Sequence, residues 1–348
     1  MLPLPVLEQA AAEMTNYRGS GMSVMEMSHR SKAYLSIFEE TKAHLIRLLG
    51  VPETHEVIFM QGGATLQFSA VPLNLMGAAG KADYAVTGNF SGLAMNEAKK
   101  YGEVALAASS EDQNHTYIPS QDKLKLSPDA AYFHYCDNNT VFGTEWKYVP
   151  ETNGVPLVAD MSSNIMSKPV DVKKYGVIYA GAQKNMAPAG MAVVIVDKSL
   201  AGKESPITPK LMNYALMIES DSMNNTPPCY TIYVLGLVLK WLDTMGGVAG
   251  MEKFKSEKAK ILYDFLDASA LFTGCARKEA RSDMNVTFRT KSEQLDASFV
   301  KEATSAGFAN LKGHRKVGGM RASIYNAMPV EGVMALVDIM KDFESKNK

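Results

Sequence analysis

The sequence predicts an α/β protein: a large unit with a mainly parallel mixed sheet flanked by helices, followed by a smaller C-terminal α/β unit. Three observations predict it. Seven short runs are almost continuously apolar: EVIFMQ (56–61), ADYAVTG (82–88), EVALAA (103–108), AYFHYC (131–136), PLVADM (156–161), GVIYAG (176–181) and MAVVIV (191–196). Such runs suit parallel strands covered on both faces. Helical patterns alternate with them, and beyond the glycine-rich TMGGVAG (244–250) a shorter helix–strand alternation begins. The expected units are therefore 1–245 and 246–348.

The elements justify this in order. Residues 5–49 read as helical, broken by the YRGSG loop (17–21). The first strand breaks at Gly62-Gly63, and TLQFSAVPLNLM (65–76) follows as a helix; LAMNEAKKYG (93–102) is a helix closed by glycine. TIYVLGLVLKWLDTM (231–245) is interrupted by Lys240 and Asp243, too early for a membrane span of about 20 residues, so it reads as a buried helix. The second unit reads as a helix (251–268), a strand (NVTFRT, 285–290), a helix near 294–306, a strand (MRASIYNA, 320–327) and a closing helix from about 330. No internal repeat suggests a solenoid.

Composition narrows the function. The chain has 348 residues, 46% of them hydrophobic and 21% charged, with a net charge of −1. That balance gives no electrostatic reason to expect nucleic acid or an anionic membrane as partner. Cys136, Cys229 and Cys275 show no CxxC spacing, which points to a reducing compartment and no metal cluster. The start, MLPLPVLEQA, lacks a basic region and meets Glu8, so it does not read as a signal peptide. The expected location is cytoplasmic.

Ligands of open parallel sheets gather at the carboxyl ends of strands, and polar residues stand at several such ends here. Gly62-Gly63-Ala64-Thr65 follows a strand and opens a helix, which makes either a phosphate cradle or an ordinary turn. Asp160 ends PLVAD and is either a helix cap or the partner of a protonated ring nitrogen. Lys184 comes 24 residues later (184 − 160) at the end of the next apolar run, alone most simply a solvated charge. A lysine for a Schiff base, a carboxylate and a phosphate cradle on one rim are what pyridoxal 5'-phosphate demands. Two further clusters, Ser28-His29-Arg30 and Gly313-His314-Arg315 with Arg321 beyond, offer bidentate donors for carboxylate or phosphate, or are plain surface arginines.

Five stretches carry a family resemblance: SVMEMSHR (23–30), QGGATLQFSAVPLNLMG (61–77), DMSSNIMSKPVDVKKYGVIYAGAQKN (160–185), NNTPPCYTIYVLGLVLKWL (224–242) and LKGHRKVGGMRASIYNAMP (311–329). Through them nearly the whole chain resembles the phosphoserine aminotransferases, class V aminotransferases with the fold type I architecture. The resemblance implies transfer of an amino group between glutamate and 3-phosphohydroxypyruvate, giving 2-oxoglutarate and phosphoserine. It implies Lys184 as the Schiff-base lysine, Asp160 at the pyridine nitrogen, Thr140 beside the ring, and Gln183, Ala64 and Thr65 at the cofactor phosphate. Asn225 and Thr226 would reach that phosphate from the other subunit of a homodimer. His29 and Arg30, with His314 and Arg315 from the partner chain, would hold the substrate phosphate, and Arg321 the α-carboxylate.

Two departures accompany the resemblance. Phe90 stands where the family usually stacks a tryptophan on the ring, so altered cofactor electronics with retained function is expected. The family's usual NFxxGPA-like opening is not seen before MLPLP, and impaired function is expected if that segment lines the cleft. The nearest alternative is another fold type I enzyme, of the alanine–glyoxylate aminotransferase or cysteine desulfurase kind. A nicotinamide-binding protein is the alternative from another class, but Gly62-Gly63 lacks its third glycine.

Overall fold

The computed structural model describes residues 1–77 and 80–347; residue 348, the last of the expected second unit, lies outside them. In chain order its elements are α1 (Leu4–Ala12), α2 (Lys32–Leu49), β1 (His55–Gln61), α3 (Gly63–Leu75), β2 (Lys81–Val86), α4 (Asn89–Ala98) and β3 (Glu103–Ser109). Then come β4 (Tyr132–Cys136), β5 (Asn138–Asn139), β6 (Thr144–Glu145), β7 (Leu157–Asp160), β8 (Val177–Gly181), β9 (Met191–Asp197), α5 (Tyr214–Glu219) and α6 (Cys229–Thr244). The chain closes with α7 (Gly247–Ala268), β10 (Thr273–Gly274), β11 (Asn285–Arg289), α8 (Glu293–Ser305), β12 (Met320–Ser323) and α9 (Val330–Lys346).

The seven apolar runs form one sheet in the order β1-β9-β8-β7-β4-β2-β3. Pairings from β8 through β7, β4 and β2 to β3 are parallel, whereas β9 runs antiparallel to both β8 and β1. Two reversals restore direction, so β1 ends on the same rim as β4, β7 and β8. There Gly62 N–H donates to Gly190 O at 3.1 Å, tying the end of β1 to the start of β9. Gly62 and Gly63 take φ of +86° and +64°, the left-handed region that only glycine enters without strain, and so the strand turns at once into α3.

Helices cover both faces, and two hydrophobic clusters fill the layers between them and the sheet. The Ser31 hydroxyl caps α2 by accepting from Tyr34 N–H at 3.2 Å, a contact worth about 1 kcal/mol to a helix. Helix α6 is buried along most of its length, which explains its nearly all-round apolar character. A third cluster belongs to α7, α8, α9 and the antiparallel sheet β10-β11-β12, where Phe272 packs against Phe288, Phe299 and Phe343.

Several boundaries differ from those expected. At TMGGVAG the chain makes a tight helix–helix turn: Gly246 and Gly247 take positive φ between the end of α6 at Thr244 and the start of α7 at Gly247. The strand expected to reach 327 stops at Ser323, because the following residues turn to bond other elements. Helix α5, β10 and the β5–β6 pair were not anticipated; they are six, two and two-by-two residues long, too short for a periodic pattern.

Candidate active site

The rim residues converge on one cavity, lined by Ala64, Thr65, Phe90, Thr140, Asp160, Gln183 and Lys184. Each comes from a chain reversal at the sheet's carboxyl edge. Asp160, the last residue of β7, is buried. Its Oδ1 accepts from Ser162 N–H at 2.9 Å and Ser162 Oγ at 2.6 Å, while Oδ2 faces the Cys136 thiol at 3.7 Å. The two readings of this aspartate thus divide between its oxygens. One closes a turn, though no helix follows, and the other accepts from the Cys136 thiol at the cavity wall. Ser162 Oγ also accepts from Gly181 N–H at 3.0 Å, fastening the end of β8 to that of β7.

Lys184 lies three residues past the end of β8 rather than on it, in a turn anchored by Ala182 N–H to Met191 O at 2.9 Å and Met186 N–H to Ala182 O at 3.0 Å. Its Nζ donates to Thr140 Oγ1 at 2.6 Å and sits 5.3 Å from the centre of the Phe90 ring. Burial lowers the pKa of this amine below the ordinary lysine value; Asp160 and Cys136 oppose that shift and Arg321 adds to it. An amine so placed surrenders its proton more readily than a solvated one. A Cβ at Gly181 would come within 2.7 Å of Gln183 Oε1, so a side chain there would displace the Gln183 amide.

Ala64 and Thr65 stand in the first turn of α3, whose N–H groups have no intrahelical acceptor and suit an anion. Arg321, on β12, reaches Thr140 O with Nη1 at a long 3.5 Å, and its Nε is buried without a partner among the described residues. Strand ends also supply lining residues that sequence reasoning missed: Cys136, Asn138, Asn139, Ser162 and Ser163. A signal existed for Cys136, which ends AYFHYC as Asp160 ends PLVAD and pairs with it in register.

Below, on the same sheet face, His134 Nε2 lies 2.8 Å from the Tyr179 hydroxyl, and its ring stacks on Tyr84 with centroids 4.7 Å apart. Burial pushes this histidine down to about 3, so it stays neutral.

The other expected residues line no part of this cavity within one chain. Thr226 O accepts from Gln61 Nε2 at 2.7 Å, with Asn225 beside it. His29 and Arg30 occupy the turn before α2, and Arg30 is exposed. His314 and Arg315 lie in the loop before β12; Arg315 is exposed and borders a separate groove with Glu293, Asp296 and Lys312. His314 is held below its usual value, first by burial and then by Arg321, Arg315 and Lys316, which places these cations together.

The donor set fits pyridoxal phosphate: a desolvated amine, a carboxylate oxygen facing the cavity, an aromatic face, and free helix-start N–H groups for the phosphate. The family described as aminotransferase class V matches residues 1–336. A phosphoserine aminotransferase of Janthinobacterium sp. (strain Marseille) is 51% identical, over 99% of this chain and 96% of its own length. The solved phosphoserine aminotransferase of Bacillus circulans subsp. alkalophilus superposes with a TM-score of 0.98 at 44% identity, covering 100% of this chain and 97% of that one. One from Trichomonas vaginalis, solved with PLP bound, gives 0.94 at 42% identity over 98% and 97%. The fold is the α/β architecture of these fold type I enzymes, and the chain belongs to the class V aminotransferases, in the phosphoserine aminotransferase family.

Proposed function

We propose that this protein is a phosphoserine:2-oxoglutarate aminotransferase of serine biosynthesis, acting as a cytoplasmic homodimer. Its residues 1–245 would form the cofactor-binding unit and 246–348 the smaller one. The observation that carries the reading is the Lys184 amine, desolvated beside Asp160 and Thr140 at the sheet's carboxyl rim.

When bound, pyridoxal 5'-phosphate supplies an aldehyde that takes the amino group and a ring that accepts the electron pair left on the substrate Cα. Ala64, Thr65 and Gln183 would hold its phosphate, joined by Asn225 and Thr226 of the partner subunit. The Phe90 ring offers an aromatic face, and the Thr140 hydroxyl a hydrogen bond. Lys184 Nζ takes the proton from the substrate Cα and later returns one, which its lowered pKa favours. Asp160, at the cavity wall, would stand against the ring nitrogen and favour its protonated form. Arg321, with its unpartnered Nε, holds the α-carboxylate. His29 and Arg30, with the partner subunit's His314 and Arg315, take the substrate phosphate or the glutamate side-chain carboxylate in turn, as alternating acidic substrates require.

The test assays the purified protein with glutamate and 3-phosphohydroxypyruvate beside an unphosphorylated keto acid. Phosphoserine and 2-oxoglutarate should form, and removing the phosphate should cost most of the activity. Equal activity on alanine and glyoxylate would replace this reading with the alanine–glyoxylate one. Running the related phosphorylated substrate of pyridoxine synthesis alongside fixes the preference between the two.

A further inference from the structure

Helix α7 carries an amine that the reaction does not use. Lys258 is fully buried. It faces no carboxylate among the described residues, and burial alone pulls it down to about 7. Burying an amine is costly unless its N–H groups find acceptors. Those of Lys258 do: Nζ donates to Tyr325 O at 2.8 Å and Met328 O at 2.9 Å, and it lies 4.8 Å from the centre of the Phe254 ring.

Both carbonyls belong to the turn that cuts β12 short, and the opposite side of that turn is bonded to the active-site loop. Asn326 N–H donates to Asn185 Oδ1 at 3.1 Å, and Asn326 Nδ2 to Met166 O at 3.0 Å. Asn185 Nδ2 in turn donates to Ile165 O at 3.1 Å, and Asn185 is the residue next to Lys184. Arg321 stands four residues before Tyr325 on the same strand and turn. The Tyr325 hydroxyl is held as well, by Asn285 Nδ2 at 3.1 Å. The turn therefore ties α7 to both the strand bearing Arg321 and the loop bearing Lys184.

We propose that Lys258 is a positioning residue: by tethering the 325–328 turn to α7 it sets Arg321 and, through Asn326 and Asn185, the loop of Lys184. The proposal rests on the roles given above to Arg321 and Lys184. Charge is not required, because a neutral amine keeps two N–H groups for the two carbonyls.

Lys258→Met keeps the length of the side chain and removes its donors; Asn326→Ala cuts the same tether at its far end. Each holoenzyme variant should raise KM for phosphoserine about tenfold through the displaced Arg321, and should also lower kcat by about threefold to tenfold through the loosened Lys184 loop. Amide hydrogen exchange at 183–186 and 320–328 should quicken in both, and the double variant should be no worse than the worse single one. A Lys258→Met enzyme that melts at lower temperature but keeps wild-type KM and wild-type exchange at 183–186 overturns the proposal, leaving a merely structural lysine. If Lys258→Met does not fold, Asn326→Ala decides by the same measurements. Should the wild type fail to transaminate phosphoserine, the functional reading falls. The exchange data then decide the tether alone, since they need no substrate.

Discussion

Lys184, Asp160 and Thr140 sit in a shared cavity, each bonded to a neighbour in its own chain. Arg30 and Arg315, by contrast, are exposed and form no ion pair among the described residues, and Asn225, Thr226, His29 and His314 lie away from that cavity. The two groups answer different physical needs. An amine that must give up its proton near neutrality has to be desolvated and held, which one chain's interior can do. A guanidinium that catches an incoming anion has to stay uncommitted until the anion arrives. The inner group is gathered in one cavity of a single chain, whereas the outer residues line no part of that cavity.

The inner group is the place for the largest effect. Lys184→Ala should slow the half-reaction with glutamate by on the order of 10³-fold or more, read as loss of the absorbance change from the aldehyde to the amine form of the cofactor. Turnover close to wild type would remove the lysine from the chemistry. At the outer group, Arg315→Ala should raise KM for phosphoserine by roughly 10- to 100-fold, with the unphosphorylated substrate barely affected, since a charge-assisted contact is lost only where phosphate is present. Mixing these two variants under subunit exchange sharpens the comparison. Random pairing should restore about a quarter of wild-type activity, because half the dimers are mixed and each of those owns one intact site. A mixture no better than its components would place Arg315 on the same chain as its Lys184.

Smaller effects follow away from this divide. Phe90→Trp should change kcat by less than about fivefold while shifting the cofactor absorbance, as stacking area grows without a new charge. Lys258 gives a pH dependence of stability. Its folded value of about 7 lies below the ordinary 10.5, so between those limits the unfolded chain binds more protons. Stability from this group is therefore lowest below about pH 7 and rises with pH towards 10.5. Tyr325, whose carbonyl it bonds, is raised by burial and does not offset that trend at the lower end. Lys258→Met should melt with a flatter profile between pH 7 and 9, and an unchanged slope would mean that the buried lysine keeps its proton.

How much of this was legible in the sequence depended on length and on locality. The seven apolar runs announced the large sheet because each is long enough to show its burial, yet the same runs could not tell that β9 is reversed. A fully buried strand reads the same in either direction. Asp160 and Lys184 were legible because a polar residue at the end of an apolar run is conspicuous; that the lysine lies beyond the strand, in a turn, was not. The 325–328 turn was hidden altogether, since its acceptors are backbone carbonyls and its partners lie 67 and 141 residues away.

The neutral histidine under the sheet has one last consequence. His134 shares a sheet face with Asp160 and cannot take a proton at any physiological pH. As a cation it would have put a buried positive charge two residues before Cys136, the strand partner of Asp160. Because it is neutral, no such charge lies behind the cavity wall, and the amine whose charge is coupled to Asp160 is that of Lys184.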